Sequence, residues 1–213
     1  MKYDIPKEFK QFVAHVKRKC KTNGVELVLS PSKNVVLTDS FSTDCSGYFD
    51  ETDKILVVAC GKPFDEWVEI LVHEYSHMEQ WLYDDRYESW ANGCIQLWDW
   101  LDKSLMLNTL QLKKVIESMV ELEGDCEKRS LENIRKWKLP INKSNYSRKA
   151  NLYLYSYLMM PIIKKFPTGI YDHIDLVMMC PNRLLKKVKE VPKPIQDEII
   201  TVSYTHLRAH ETL

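Results

Sequence analysis

The residues with the most chemistry per position are His73, Glu74 and His77, in the run His73-Glu74-Tyr75-Ser76-His77. Two histidines four apart stand on one face of a helix, so both imidazoles can reach a single metal ion. Zinc takes neutral imidazole nitrogens and, in catalytic sites, keeps one position for water. A carboxylate one residue after the first histidine points beside the ion and can accept a proton from the metal-bound water. Glu74 is therefore the candidate general base, and His73 and His77 are candidate ligands of one Zn²⁺ per chain. Random scattering of the six histidines and the glutamates gives about 0.01 HExxH matches, so chance is a poor source of the run.

Such a motif works only on a helix. Trp67, Ile70, Leu71, Glu74, Met78, Trp81 and Leu82 recur at helical spacing, which predicts a helix over about 64–82. Asp65 and Glu66 fall in its first turn, where the helix dipole favours negative charge. Glu74 lies within the apolar stripe, and a buried carboxylate without compensation is costly. A partner such as metal-bound water would relieve it.

The third protein ligand has to come from another element. His15 and His173 sit in no recognisable extension of the motif. A long helix, capped at Asn108 or Thr109 and ending before Pro140, carries Glu121-Leu-Glu123-Gly-Asp125-Cys-Glu127. Two pairs there have i, i+4 spacing: Glu121 with Asp125, and Glu123 with Glu127. Leu112, Val115, Ile116, Met119, Leu122, Cys126 and Ile134 define the apolar face. Glu123 falls near its centre, Glu127 at its edge, and Glu121 and Asp125 roughly opposite. The phase favours Glu123 as ligand and Glu127 as the group orienting a ligand, with Glu121 and Glu127 as alternative ligands. A solvated acidic face is the plainer reading of the same residues. Gly124 suggests a close backbone approach.

The rest of the chain has to position these two helices. A helix is expected over 5–22, and strands over 25–30 and 35–38. Residues 47–49 and 55–59 flank the turn-forming 50–53 as a hairpin, and either 46–50 or 55–59 could supply an edge for an extended substrate, with plain core strands as the competing reading. Further helices are expected over 89–105 and over 146–160, the latter stopped by Pro161. Segments 174–179 and 183–188 are weaker candidates for further helices, with Lys186, Lys187 and Lys189 on a solvated helix face. The order gives an α+β fold: a small sheet with a hairpin packed on the HExxH helix, then a mostly helical C-terminal half. One domain is expected over 1–201, with its core over about 20–140 and a helical extension over 141–201.

Thirty basic and thirty acidic residues leave no net charge, which argues against a general nucleic-acid binder. Lys186, Lys187 and Lys189 read as a solvated face. No stretch has the roughly 20 apolar residues of a membrane span. The first twenty residues have no apolar signal region, and the six cysteines form no CxxC pair. Reduced thiols and a cytoplasmic location are expected. Val202–Thr212, VSYTHLRAHET, resembles a translated sequencing-library adapter, so 202–213 is expected to be a non-native tail and His206 and His210 are not counted as ligands.

HEYSHMEQW, ELEGDCEKRS, NKSNYSRKANLYLYSY and CPNRLL together resemble a group of HExxH metallopeptidases encoded by tailed bacteriophages and common in metagenomes. The plan is similar to that of minimal gluzincins. The resemblance covers nearly all of 1–200, and only HExxH is a specific motif. It implies a zincin-like fold, a zinc-dependent hydrolase of peptide or protein substrates, His73 and His77 as ligands and Glu74 as base. Glu121 and Asp125 match the ExxxD spacing of gluzincins, against the phase argument for Glu123. The tyrosines within 153–157 offer an oxyanion-stabilising phenol without a positional argument. The competing reading is a non-catalytic, metal-containing structural or regulatory binding protein of a phage. An intact Glu74 argues against it, and a closed four-ligand sphere would argue for it.

Overall fold

A computed structural model describes residues 6–37, 43–167 and 169–210, without side-chain detail at 37, 43, 44 and 205–210. The chain divides into two compact units: Met1–Asp85 with Cys126–Asn142, and Arg86–Asp125 with Lys143–Leu213. The division falls inside one continuous helix.

In the first unit, α1 (Lys7–Thr22) buries Phe9, Phe12, Val16 and Cys20, the stripe its spacing predicts. Five short strands follow: β1 (Glu26–Ser30), β2 (Val35–Leu37), β3 (Thr43–Cys45), β4 (Gly47–Asp50) and β5 (Ile55–Ala59). The expected hairpin is β4 and β5, paired antiparallel with Gly47 opposite Val58. Asp50 closes its turn by accepting from the backbone N–H groups of Thr52 and Asp53. β1 adds to the other side of β5 in parallel, giving the order β1-β5-β4, while β2 and β3 form a separate two-stranded ladder. β5 is therefore the central strand and cannot supply the edge. β4 can.

Helix α2 (Phe64–Tyr83) packs on β4 and β5. It begins after Pro63 and carries Asp65 and Glu66 in its first turn. Val68, Leu71, Val72, Tyr75 and Met78 are its buried apolar residues. Helix α4 (Thr109–Lys136) contributes its later part to this unit. Ser130 donates to Ser76, Asn133 to Glu79 and Arg129 to Asp84 at 3.0, 2.7 and 2.8 Å, so α4 is fixed to α2 by buried polar contacts.

The second unit holds α3 (Tyr87–Leu101), the start of α4, α5 (Lys143–Ile163), α6 (Ile174–Met179) and α7 (Lys193–His210). The α4 cap is reciprocal. Asn108 accepts from the N–H groups of Leu110 and Gln111, and Gln111 Oε1 accepts from the N–H of Asn108. Two expectations need correction here. Pro161 does not stop α5, which runs to Ile163 and then ends at Lys164 with φ 57°. A proline this near a helix end removes a single backbone bond, and the left-handed residue is what terminates the helix. Residues 183–188 form no helix, so Lys186, Lys187 and Lys189 are exposed on irregular chain. The unexpected α7 places Ile195, Ile199 and Val202 in one core at i, i+4, i+7 spacing. No helix among the described residues is long and apolar enough to cross a membrane.

Candidate metal centre

Helix α2 places His73 and His77 one turn apart, with Nε2 facing Nε2 at 3.2 Å and the rings nearly perpendicular at 85°. Two nitrogens each about 2.0–2.1 Å from a tetrahedral zinc lie about 3.3 Å apart. The opposite ring nitrogens are engaged. His77 Nδ1 meets Gln80 Oε1 at 2.9 Å, and His73 Nδ1 meets Glu127 Oε1 at 3.2 Å. An Nδ1–H donated to either oxygen leaves an Nε2 lone pair aimed into the gap between the rings.

The donors gather on α4. One ligand atom from each of His73, His77, Glu123 and Cys126 lies within 4.8 Å of the others. Glu123 and Cys126 are three residues apart on the same helix, one turn on one face. Glu123 and Glu127 are each 4% exposed, and Glu127 Oε2 is buried without a hydrogen-bond donor among the described residues. Buried carboxylate charge of this kind is stabilised by a nearby cation. The group could hold a metal ion.

The Cys126 thiol lies 3.6 Å from His73 Nδ1 and donates to the carbonyl oxygen of His73 at 3.4 Å. Burial works against a charged His73 ring. The neighbouring Cys126 sulfur and Glu127 carboxylate outweigh it and hold the imidazole well above its ordinary pKa.

Glu74 is 8% exposed and lies under the sheet edge. A Cβ at Gly47, on β4, would sit 2.7 Å from Ile70 Cγ2, 2.8 Å from the Val57 carbonyl oxygen and 3.1 Å from Glu74 Cγ. Only glycine lets the strand come this close, so β4 runs directly beside the Glu74 side chain.

The structure separates the acidic residues as their helical phase predicts. Glu121 is exposed and accepts from Trp90 Nε1 at 3.2 Å, and Asp125 pairs with Arg86 at 3.8 Å. Neither belongs to the cluster. His15 contacts Tyr75 through Nε2 at 3.1 Å, and neither it nor His173 joins the cluster. Gly124 answers no close approach, because a Cβ there would meet nothing within 4 Å.

The sequence pattern gives no sign of Cys126 or Gln80 as contributors, and the tyrosines within 153–157, expected only as a phenol without a place, stand at Glu123. Tyr157 and Tyr153 hydroxyls lie 3.3 and 3.4 Å from Glu123 Oε1 and 2.6 Å from each other. Burial, and then the Glu123 charge, hold the Tyr157 hydroxyl well above the ordinary phenol range, so it remains a donor at neutral pH. The i, i+4 spacing of the two tyrosines was the available signal. Comparison with known proteins found no matching family model, no matching curated protein and no matching solved structure.

Proposed function

We propose that this chain is a zinc-dependent hydrolase of peptide bonds with a zincin-like arrangement of edge strand and HExxH helix. The observation that carries the reading is the pair of Nε2 atoms 3.2 Å apart, each backed by an oxygen on the opposite ring nitrogen. His73, His77 and Glu123 would hold the ion, and Glu127 and Gln80 would orient the two rings. Bound zinc supplies the Lewis acidity that activates water and polarises a carbonyl. Glu74 takes the proton of the attacking water and returns it to the leaving amine. The β4 edge beside Glu74 supports a peptide as substrate, since an extended chain can add there as a further strand.

Glu74→Gln tests this directly. The variant should keep its metal by elemental mass spectrometry. Its cleavage of a mixed peptide library should fall by about 10²–10⁴-fold. Undiminished cleavage would overturn the mechanism.

A second reading rests on Cys126. Four donors within 4.8 Å can close a coordination sphere and make the ion structural. Cys126 Sγ lies 3.6 Å from Nδ1 of His73, the nitrogen turned away from the gap between the two Nε2 atoms, which favours the open site. Cys126→Ser separates the two. An open site keeps its zinc in that variant, and a closed one loses most of its affinity.

A further inference from the structure

The hydroxyls of Tyr153 and Tyr157 form a triangle with Oε1 of Glu123, with sides of 2.6, 3.3 and 3.4 Å. Helix α5 sets the pair by its i, i+4 spacing, with ring centroids 5.1 Å apart and edge to face. Tyr157 is 1% exposed, while Tyr153 is half-buried. Both hydroxyls are placed to donate to Oε1, and Tyr157 is also placed to donate to Tyr153. The two phenols thus meet a single carboxylate oxygen.

A buried carboxylate calls for donors, and both phenols bring theirs to the same oxygen, Oε1. An ion on the Oε2 side gives a reason for that one-sided arrangement. A carboxylate binds a metal through one oxygen or two, and a hydrogen bond to one oxygen favours the single-oxygen mode.

We propose that Tyr153 and Tyr157 are positioning residues of the metal centre, whose hydroxyls hold Oε1 of Glu123 so that Glu123 ligates through its other oxygen alone. Binding through one oxygen leaves room for water in a four-coordinate site. The inference rests on the metal-centre reading and concerns geometry rather than turnover.

Cobalt(II) in place of zinc provides the test, because its visible absorption reports coordination number, with four-coordinate cobalt absorbing much more strongly than five- or six-coordinate. The full chain, Tyr153→Phe, Tyr157→Phe and the double variant are titrated with Co²⁺ and followed by absorption and circular dichroism. The parent should give an intense four-coordinate spectrum. The double variant should retain its helix content, bind about 10–100-fold more weakly and show a weaker spectrum of higher coordination number. Tyr153→Phe, at the half-buried position, keeps the test available if Tyr157→Phe unfolds. Parental spectra and affinities in the phenylalanine variants overturn this inference alone. A parent that binds no cobalt overturns the metal-centre reading and this inference with it.

Discussion

Asn151 on α5 and Glu127 on α4 are buried polar side chains, 0% and 4% exposed, that meet opposite kinds of neighbour. The amide of Asn151 donates to the carbonyl oxygens of Pro181 and Arg183 at 2.9 Å each and accepts from the N–H of Leu185 at 3.0 Å. Its capacity is spent on pinning the segment after α6 to α5. Arg148 adds to that work by donating to the carbonyl oxygens of Met178 and Cys180. Glu127 sets one oxygen against His73 Nδ1, and its other oxygen is buried without a donor among the described residues. A polar group satisfied by main chain needs nothing more. A carboxylate satisfied on one side, behind a ring whose far nitrogen faces a second histidine, fits the outer layer of an ion site.

The contrast is most easily broken at the histidines. His77→Ala should take zinc from one ion per chain to none by elemental mass spectrometry, and parental stoichiometry would place any metal elsewhere. Glu127→Gln preserves shape and removes charge. Its zinc affinity should fall by about 10–100-fold in competition with a chromophoric chelator. Unchanged affinity would make Glu127 as purely structural as Asn151. Asn151→Ala should behave in the reverse sense. Zinc affinity should stay at the parental value, while the stranded main-chain groups lower the unfolding free energy by about 2–4 kcal/mol in urea. Loss of zinc affinity in parallel would erase the distinction between the two residues.

How much was legible in the sequence follows the same division. Helix α2 repeats apolar residues at helical spacing, so its limits and the shared face of His73 and His77 could be read directly, although Trp67, Ile70, Trp81 and Leu82 of that stripe are only partly buried. The phase of α4 put Glu123 near the centre of the apolar face, Glu127 at its edge and Glu121 outside, because that helix has one wet face, and Glu123 and Glu127 are both buried. Cys126 was hidden because a thiol counts as apolar in any stripe. Tyr153 and Tyr157 were hidden for another reason. Twelve residues of α5 are buried, including Tyr146, Asn151 and Ser156, so the helix has no wet face from which to assign a phase. The hairpin was visible from its turn residues, but the parallel return of β1 onto β5 depends on pairings between residues about 29 positions apart. Half of α7 lies in 202–210, within the stretch whose sequence resembles an adapter.

Gly124 sharpens the comparison at its smallest scale. It stands beside Glu123 in the middle of α4, where a glycine costs helix stability through its extra freedom in the unfolded chain. A methyl group there would meet nothing within 4 Å, so alanine adds no clash. Gly124→Ala should therefore stabilise the chain by about 0.5–1 kcal/mol in urea denaturation. Zinc affinity should be unchanged, since the carboxylate of Glu123 is set by the helix and by the hydroxyls of Tyr153 and Tyr157. A stabilised protein with weakened zinc binding would show that the centre needs backbone freedom at this turn of α4. The ligand geometry would then form only when the ion arrives.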